Sequence, residues 1–146
     1  MTMTAIHRAM PHGDSRGETT RRAVWAGRAM SGAATLFLLF DASVKVLQLP
    51  LAADASAQLG WAASAMPGLG ILELACLVVY LTPRTAVLGA VLWTGYLGGA
   101  IATHVRVDGP LFGHKLFPIW VALLLWGGLW VRDEQLRAVL PLRTAK

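Results

Sequence analysis

The chain has 146 residues, of which 55% are hydrophobic and only 14% charged, and its mean hydropathy is +0.55. That is room for one domain, but a soluble domain carries roughly a quarter charged residues, so an ordinary water-soluble enzyme is disfavoured and a lipid surround is expected. A single cysteine, Cys76, excludes an intramolecular disulfide and paired-thiol redox chemistry, and the four histidines give no Cys/His spacing that reads as a zinc site.

Residues 1–22 are polar, contain Gly, Pro, Ser and Thr and show no apolar period, which predicts a mobile basic tail ahead of the domain. The domain is expected over 23–140, with 141–146 as a C-terminal tail. Its first apolar segment, 23–47, is interrupted by Arg28, Asp41 and Lys45 and stopped by Pro50. At ~1.5 Å per residue it can cross a hydrocarbon core of ~30 Å. Between 48 and 66, Asp54 suggests the cap of a short helix, and Leu51, Ala55, Leu59 and Trp61 suit a segment lying in the membrane interface. The second apolar segment, 67–82, starts with Pro67, contains Glu73 and is ended by Pro83. The third, 85–103, is 19 residues without a formal charge and is the strongest membrane signal in the chain. Residues 104–115 form a turn-rich loop with Gly109-Pro110, and the fourth segment, 116–131, is uncharged between Lys115 and Arg132. Beyond it, Leu136, Val139 and Leu140 fall on one side of a short surface helix ended by Pro141. The expected fold is therefore all-α, an integral membrane four-helix bundle.

The basic residues orient it. If the termini and the turn at Arg84 share one side, that side holds ten Lys and Arg residues and the other holds Lys45, Arg106 and Lys115. This bias predicts cytoplasmic N and C termini. The basic balance is thus a topology signal, and no nucleic-acid partner is expected, because the cations are not interleaved with stacking aromatics. A cleaved secretory signal ending near Ala55-Ser56-Ala57 is disfavoured, since Asp41 and Lys45 interrupt its apolar core. Trp25, Trp126 and Trp130 fall toward one boundary and Trp61 and Trp120 toward the other, as an aromatic belt does.

With four crossings, the ionisable residues that remain at membrane depth gather in the outer half. Asp41 and Lys45, four apart, share a helix face. Glu73 has no basic residue on its own helix and is expected to pair with Lys45, His104 or Arg106. Glu73, Cys76, Leu77 and Tyr80 form one face of the second segment, and Tyr96, Ala100, Thr103 and His104 one face of the third. An inward polar seam follows. It can be a packing network and nothing more, or a site for a small molecule or a proton. The Gly95 to Gly99 run, with Ala100 and Ala102, is expected to admit a close helix neighbour rather than a ligand. Cys76 reads as a small buried apolar residue, and the histidines are placed for neither haem nor metal.

The segments FDASVKVLQLP at 40–50, GILELACLVVYLTPRTAVLGAVLWTGYLGGAIATHVR at 70–106 and LFPIWVALLLWGGLWVRD at 116–133 resemble the DoxX-like family of small bacterial four-helix membrane proteins. The resemblance covers roughly residues 30–140. It implies a multi-pass protein of the bacterial inner membrane, distantly related to the DoxD-type subunits associated with thiosulfate:quinone oxidoreduction, in a family most of whose members have no assigned reaction. It also gives Asp41, Lys45, Glu73, His104 and Arg106 as recurring polar positions. The chain lacks the thiols that the vitamin K epoxide reductase type of bundle needs. The chain carries no cofactor motif. The leading expectation is an accessory redox role in which the seam binds a small lipophile, with a quinone as one candidate, and works with a membrane or redox protein partner or a second copy of the chain. The alternatives are a small transporter or proton-conducting module, and a structural membrane subunit.

Overall fold

The computed structural model describes residues 15–108 and 116–139. Among these the elements are α1 (Ser15–Val46), α2 (Pro50–Gln58), a 3-10 turn (Ala63–Ala65), α3 (Met66–Leu81), α4 (Ala86–Arg106), α5 (Phe117–Arg132) and α6 (Glu134–Val139). The four long helices match the four apolar segments. α1 starts earlier than the apolar pattern does: no proline lies between Ser15 and Val46, and a helix once nucleated propagates through polar residues at little cost. Residues 1–14, the 109–115 stretch of the loop and 140–146 lie outside the described residues.

Helix ends follow local chemistry. α1 stops where Gln48 takes a left-handed φ of 51° and Leu49, preceding Pro50, is extended. Pro50 itself then opens α2 at its first turn. Asp54 is therefore inside α2 rather than at its cap, and the N-cap position is Leu49, with no side-chain cap. Gly60, at φ 70°, closes that helix. Asp133 caps α6, its Oδ1 accepting from the backbone N–H of Gln135 at 2.9 Å and of Leu136 at 3.0 Å.

α1 and α4 each pack against both α3 and α5, so the four helices close into a ring with α1 and α4 on a diagonal, in the neighbour order of an up-and-down bundle; a short turn joins α3 to α4, and α2 and the 3-10 turn lie in the connection from α1 to α3. Buried positions recur at three and four residues: Ala34, Leu38 and Ala42 on α1, Gly70, Glu73, Leu77 and Tyr80 on α3, Ala86, Ala90, Trp93 and Leu97 on α4, and Val121, Leu125 and Leu129 on α5. The outer faces are equally apolar, with Leu36 70%, Val78 65% and Trp120 62% exposed. A surface of this kind suits hydrocarbon, where every backbone polar group must be satisfied inside its own helix. Arg21–Val46, Ala63–Leu81 and Ala86–Arg106 are each long and apolar enough to cross a membrane. α5 is shorter, at 16 residues.

Backbones approach closely where glycine removes the side chain. A Cβ on Gly128 would stand 2.8 Å from the Gly27 carbonyl oxygen, and one on Gly27 2.9 Å from that of Gly128, which fixes the α1–α5 crossing. Gly70 lies against α1 in the same way, 2.9 Å from the Ala42 carbonyl, and Gly89 lies against the Tyr80 backbone. The close approach expected along Gly95 to Gly99 is absent among the described residues: a Cβ on Gly95, Gly98 or Gly99 would meet nothing within 4 Å. α4 is drawn to α3 through Gly89 instead, near the turn, and its glycine run is left open.

Candidate functional site

The C-terminal ends of α1 and α4 and the N-terminal ends of α3 and α5 meet at one end of the bundle. There they enclose a cavity of about 500 Å³, and α2 lies over it. This volume is within the range of small-molecule sites. Ala52 and Ser56, the buried residues of α2, face inward together with Leu59, so that α2 is a cover for the cavity and not merely a segment lying in the interface. Arg106, at the end of α4, donates from Nη2 to the Leu59 carbonyl at 2.9 Å and ties down the end of that cover. Phe37, Phe40, Trp61 and Phe117 give the wall an aromatic character, and the open Gly95 and Gly99 lie along its α4 side.

One part of the wall is ionic. Lys45 Nζ donates to Asp41 Oδ2 at 2.6 Å, to Glu73 Oε1 and to the Tyr96 hydroxyl at 3.2 Å. Tyr96 donates its own hydrogen to Glu73 Oε1. Three side chains, one from each of three helices, thus converge on the Lys45 ammonium. The α1–α3 crossing at Gly70 permits this, because α1 comes so near that a Cβ on Gly70 would stand 2.9 Å from the Ala42 carbonyl oxygen and 3.0 Å from the Lys45 Cβ. Trp93 packs edge-on against Tyr96, ring centroids 5.5 Å apart, and supports the ring from behind. Asp41, Lys45 and Tyr96 line the cavity, whereas Glu73 is 0% exposed and stands behind them. Its Oε2 has no partner among the described residues.

Residues 29–128 match the DoxX-like family. The chain belongs to the DoxX-like family. The matched span contains all four members of the ionic cluster and the whole described wall of the cavity. No match was found among curated proteins or among solved structures. Family and apolar helices together make this a membrane protein.

In this DoxX-like protein the expected polar seam divides. Asp41, Lys45, Glu73 and Tyr96 come together as above. Thr103 and His104 line the same cavity further along α4, with the Thr103 hydroxyl donating to the Gly99 carbonyl at 2.9 Å. Arg106 is engaged with Leu59 and makes no bond to Glu73, so of the three cations expected for that carboxylate the structure selects Lys45. Tyr80 is outside the cluster. It shares a helix face with Glu73 but lies seven residues along α3, about 10 Å at helical rise. Its hydroxyl donates to the Leu125 carbonyl at 3.0 Å and is 2.9 Å from Ser31 Oγ. With its single hydrogen so used, Tyr80 accepts from Ser31, and this second node ties α1, α3 and α5 together at mid-bundle. Ser31 gives no signal in the sequence, because its partners come from other helices. The bond from Trp126 Nε1 to Thr94 Oγ1 at 2.9 Å, between α5 and α4, is equally invisible there. The cover formed by α2 is not displayed by the chain either: the sequence singles out Leu51, Ala55 and Leu59 of this stretch, whereas the residues of α2 that the fold buries are Ala52 and Ser56.

Cys76 is buried, on the face of α3 that carries Leu77 and Tyr80. Among the described residues no three His, Cys, Asp or Glu side chains are grouped as metal ligands.

Proposed function

We propose that this DoxX-like protein is a four-pass protein of the bacterial cytoplasmic membrane, both termini cytoplasmic, that binds a small lipophilic molecule of the quinone size class in the outer half of the bundle and serves a redox process as an accessory subunit. The observation that carries the reading is an apolar, aromatic-lined cavity of about 500 Å³ with one ionic stretch of wall, where Asp41, Lys45 and Tyr96 stand at its surface. A few polar groups in a mostly apolar pocket are what orients a lipophile. Ionisable side chains at membrane depth are costly enough that a role for them is the default expectation. The orientation rests on the excess of Lys and Arg on the side of the termini.

Glu73 is a positioning residue in this reading. It holds Lys45 and Tyr96 at the wall, while ligand contacts come from Asp41, Tyr96, Thr103 and His104. The apolar packing of Cys76 and Leu77 between the Glu73 cluster and the Tyr80 node favours binding over conduction, since no chain of polar side chains links the two levels among the described residues.

Protein purified in mild detergent and extracted with organic solvent is expected to release a lipophile in stoichiometric amount, and the Glu73→Gln form to release less and to grow poorly under redox stress. An empty extract together with unaltered growth of Glu73→Gln would overturn the reading. Glu73-dependent proton or solute flux into proteoliposomes would point instead to a conducting module.

A further inference from the structure

We infer that the cavity selects a lipophile whose polar head is a hydrogen-bond donor, a hydroxyl or an ammonium, over one that ends only in a carbonyl or ether oxygen. The inference rests on the binding reading above and names the chemistry of the ligand. It follows from counting donors and acceptors in the ionic cluster.

An ammonium has three N–H donors and a phenol one O–H. The three of Lys45 go to Asp41 Oδ2, Glu73 Oε1 and the Tyr96 oxygen. The one of Tyr96 goes to Glu73 Oε1. All four donors of the cluster are therefore engaged within it. Acceptors remain: Asp41 accepts from Lys45 through Oδ2, leaving Oδ1, and Glu73 Oε2 has no partner among the described residues. Of the two carboxylates, Asp41 is the one at the cavity, lining it with 37% of its side chain exposed, against 0% for Glu73. With one ammonium between two carboxylates, the cluster also carries an excess of acceptor character. A hydroxyl or ammonium head supplies the missing donor. A carbonyl oxygen placed there meets only lone pairs.

The rest of the wall does not reverse this. The Thr103 and Ser56 hydroxyls each donate to a backbone carbonyl, of Gly99 at 2.9 Å and of Ala53 at 2.8 Å. The rings of His104 and Trp61 can donate, but His104 is eight residues along α4 from Tyr96, about 12 Å away at helical rise, and Trp61 lies beyond the end of α2. Both belong to the rim. Applied to a quinone couple, the site holds the reduced, dihydroxy member in preference to the dicarbonyl.

The test uses the full chain in lipid nanodiscs and two probes of nearly equal size, para-hexylphenol and its methyl ether, with binding counted above that to protein-free nanodiscs. The phenol is expected to bind about tenfold or more tightly than the ether, as a hydrogen bond to a charged acceptor allows. Asp41→Asn, whose carboxamide offers a donor of its own, is expected to narrow that preference to about threefold or less. Equal binding of phenol and ether to the wild type, or a preference that survives unchanged in Asp41→Asn, overturns the assignment while leaving the cavity as a lipophile site. Binding of neither probe overturns both.

Discussion

Lys45→Met is expected to destabilise the protein more than any other single change in the cavity wall, by about 3–5 kcal/mol, the range for removing one partner of a buried ion pair. The loss comes mainly from Glu73. That carboxylate is fully enclosed, and without the ammonium it keeps only the Tyr96 hydroxyl as a donor. Asp41 loses the same ammonium, but with 37% of its side chain exposed it contributes little, since partly solvated pairs are worth about 0–1 kcal/mol. Combining Lys45→Met with Glu73→Gln removes both buried charges and leaves Tyr96 an acceptor. The double variant is expected to recover most of the loss, because uncharged replacements of a buried pair are often neutral. Thermal unfolding of the four proteins of this double-mutant cycle measures the coupling directly. Additive losses would mean that Lys45 and Glu73 do not hold each other.

Gly89→Ala is expected to cost about 1–3 kcal/mol, as overpacking does, despite the better helix propensity of alanine. The added carbon would lie against the backbone N and Cα of Tyr80, and backbone cannot swing aside as a side chain can. Nor can the turn between α3 and α4 relax easily, since Thr85 Oγ1 donates to the Val79 carbonyl at 2.8 Å and the Gly89 N–H to the Thr85 carbonyl at 2.8 Å. Displacing Tyr80 would further disturb its bonds to Ser31 and Leu125. Gly98→Ala, on the same helix, meets nothing within 4 Å and is expected to be neutral or slightly stabilising. Comparison of the two unfolding midpoints checks this. Equal shifts would show that the α3–α4 approach at Gly89 is not under packing constraint.

Much of this architecture is legible along the chain because membrane helices obey a few strong rules. Long uncharged stretches, the prolines at 50, 67, 83 and 118 and the three-to-four spacing of Glu73, Leu77 and Tyr80 locate the helices and one inward face. The pair Asp41 and Lys45 is readable because its spacing is local. What the chain does not display is how helices cross. Glu73 selects Lys45 over His104 and Arg106 because Gly70 lets α1 approach α3 at Ala42, a fact about two backbones. Tyr80 lies on the Glu73 face yet serves a different level of the bundle, since sharing a face does not mean sharing a depth. The glycine run of α4 illustrates the limit most clearly. Small residues permit either a neighbouring helix or open space, and here Gly95 and Gly99 border the cavity.

That open space offers the most direct test of whether the cavity is a binding site. A leucine at Gly95 has room for its Cβ, with nothing within 4 Å, and its side chain would enter the space beside Tyr96 while the helix gains up to about 1 kcal/mol of propensity. The decisive measurement is the amount of bound lipophile retained by purified Gly95→Leu, set beside its unfolding midpoint. An occupied site predicts at least about tenfold less bound lipophile, as expected when a pocket is filled, at an unchanged or raised midpoint. Wild-type retention in a protein whose cavity has been filled would contradict it.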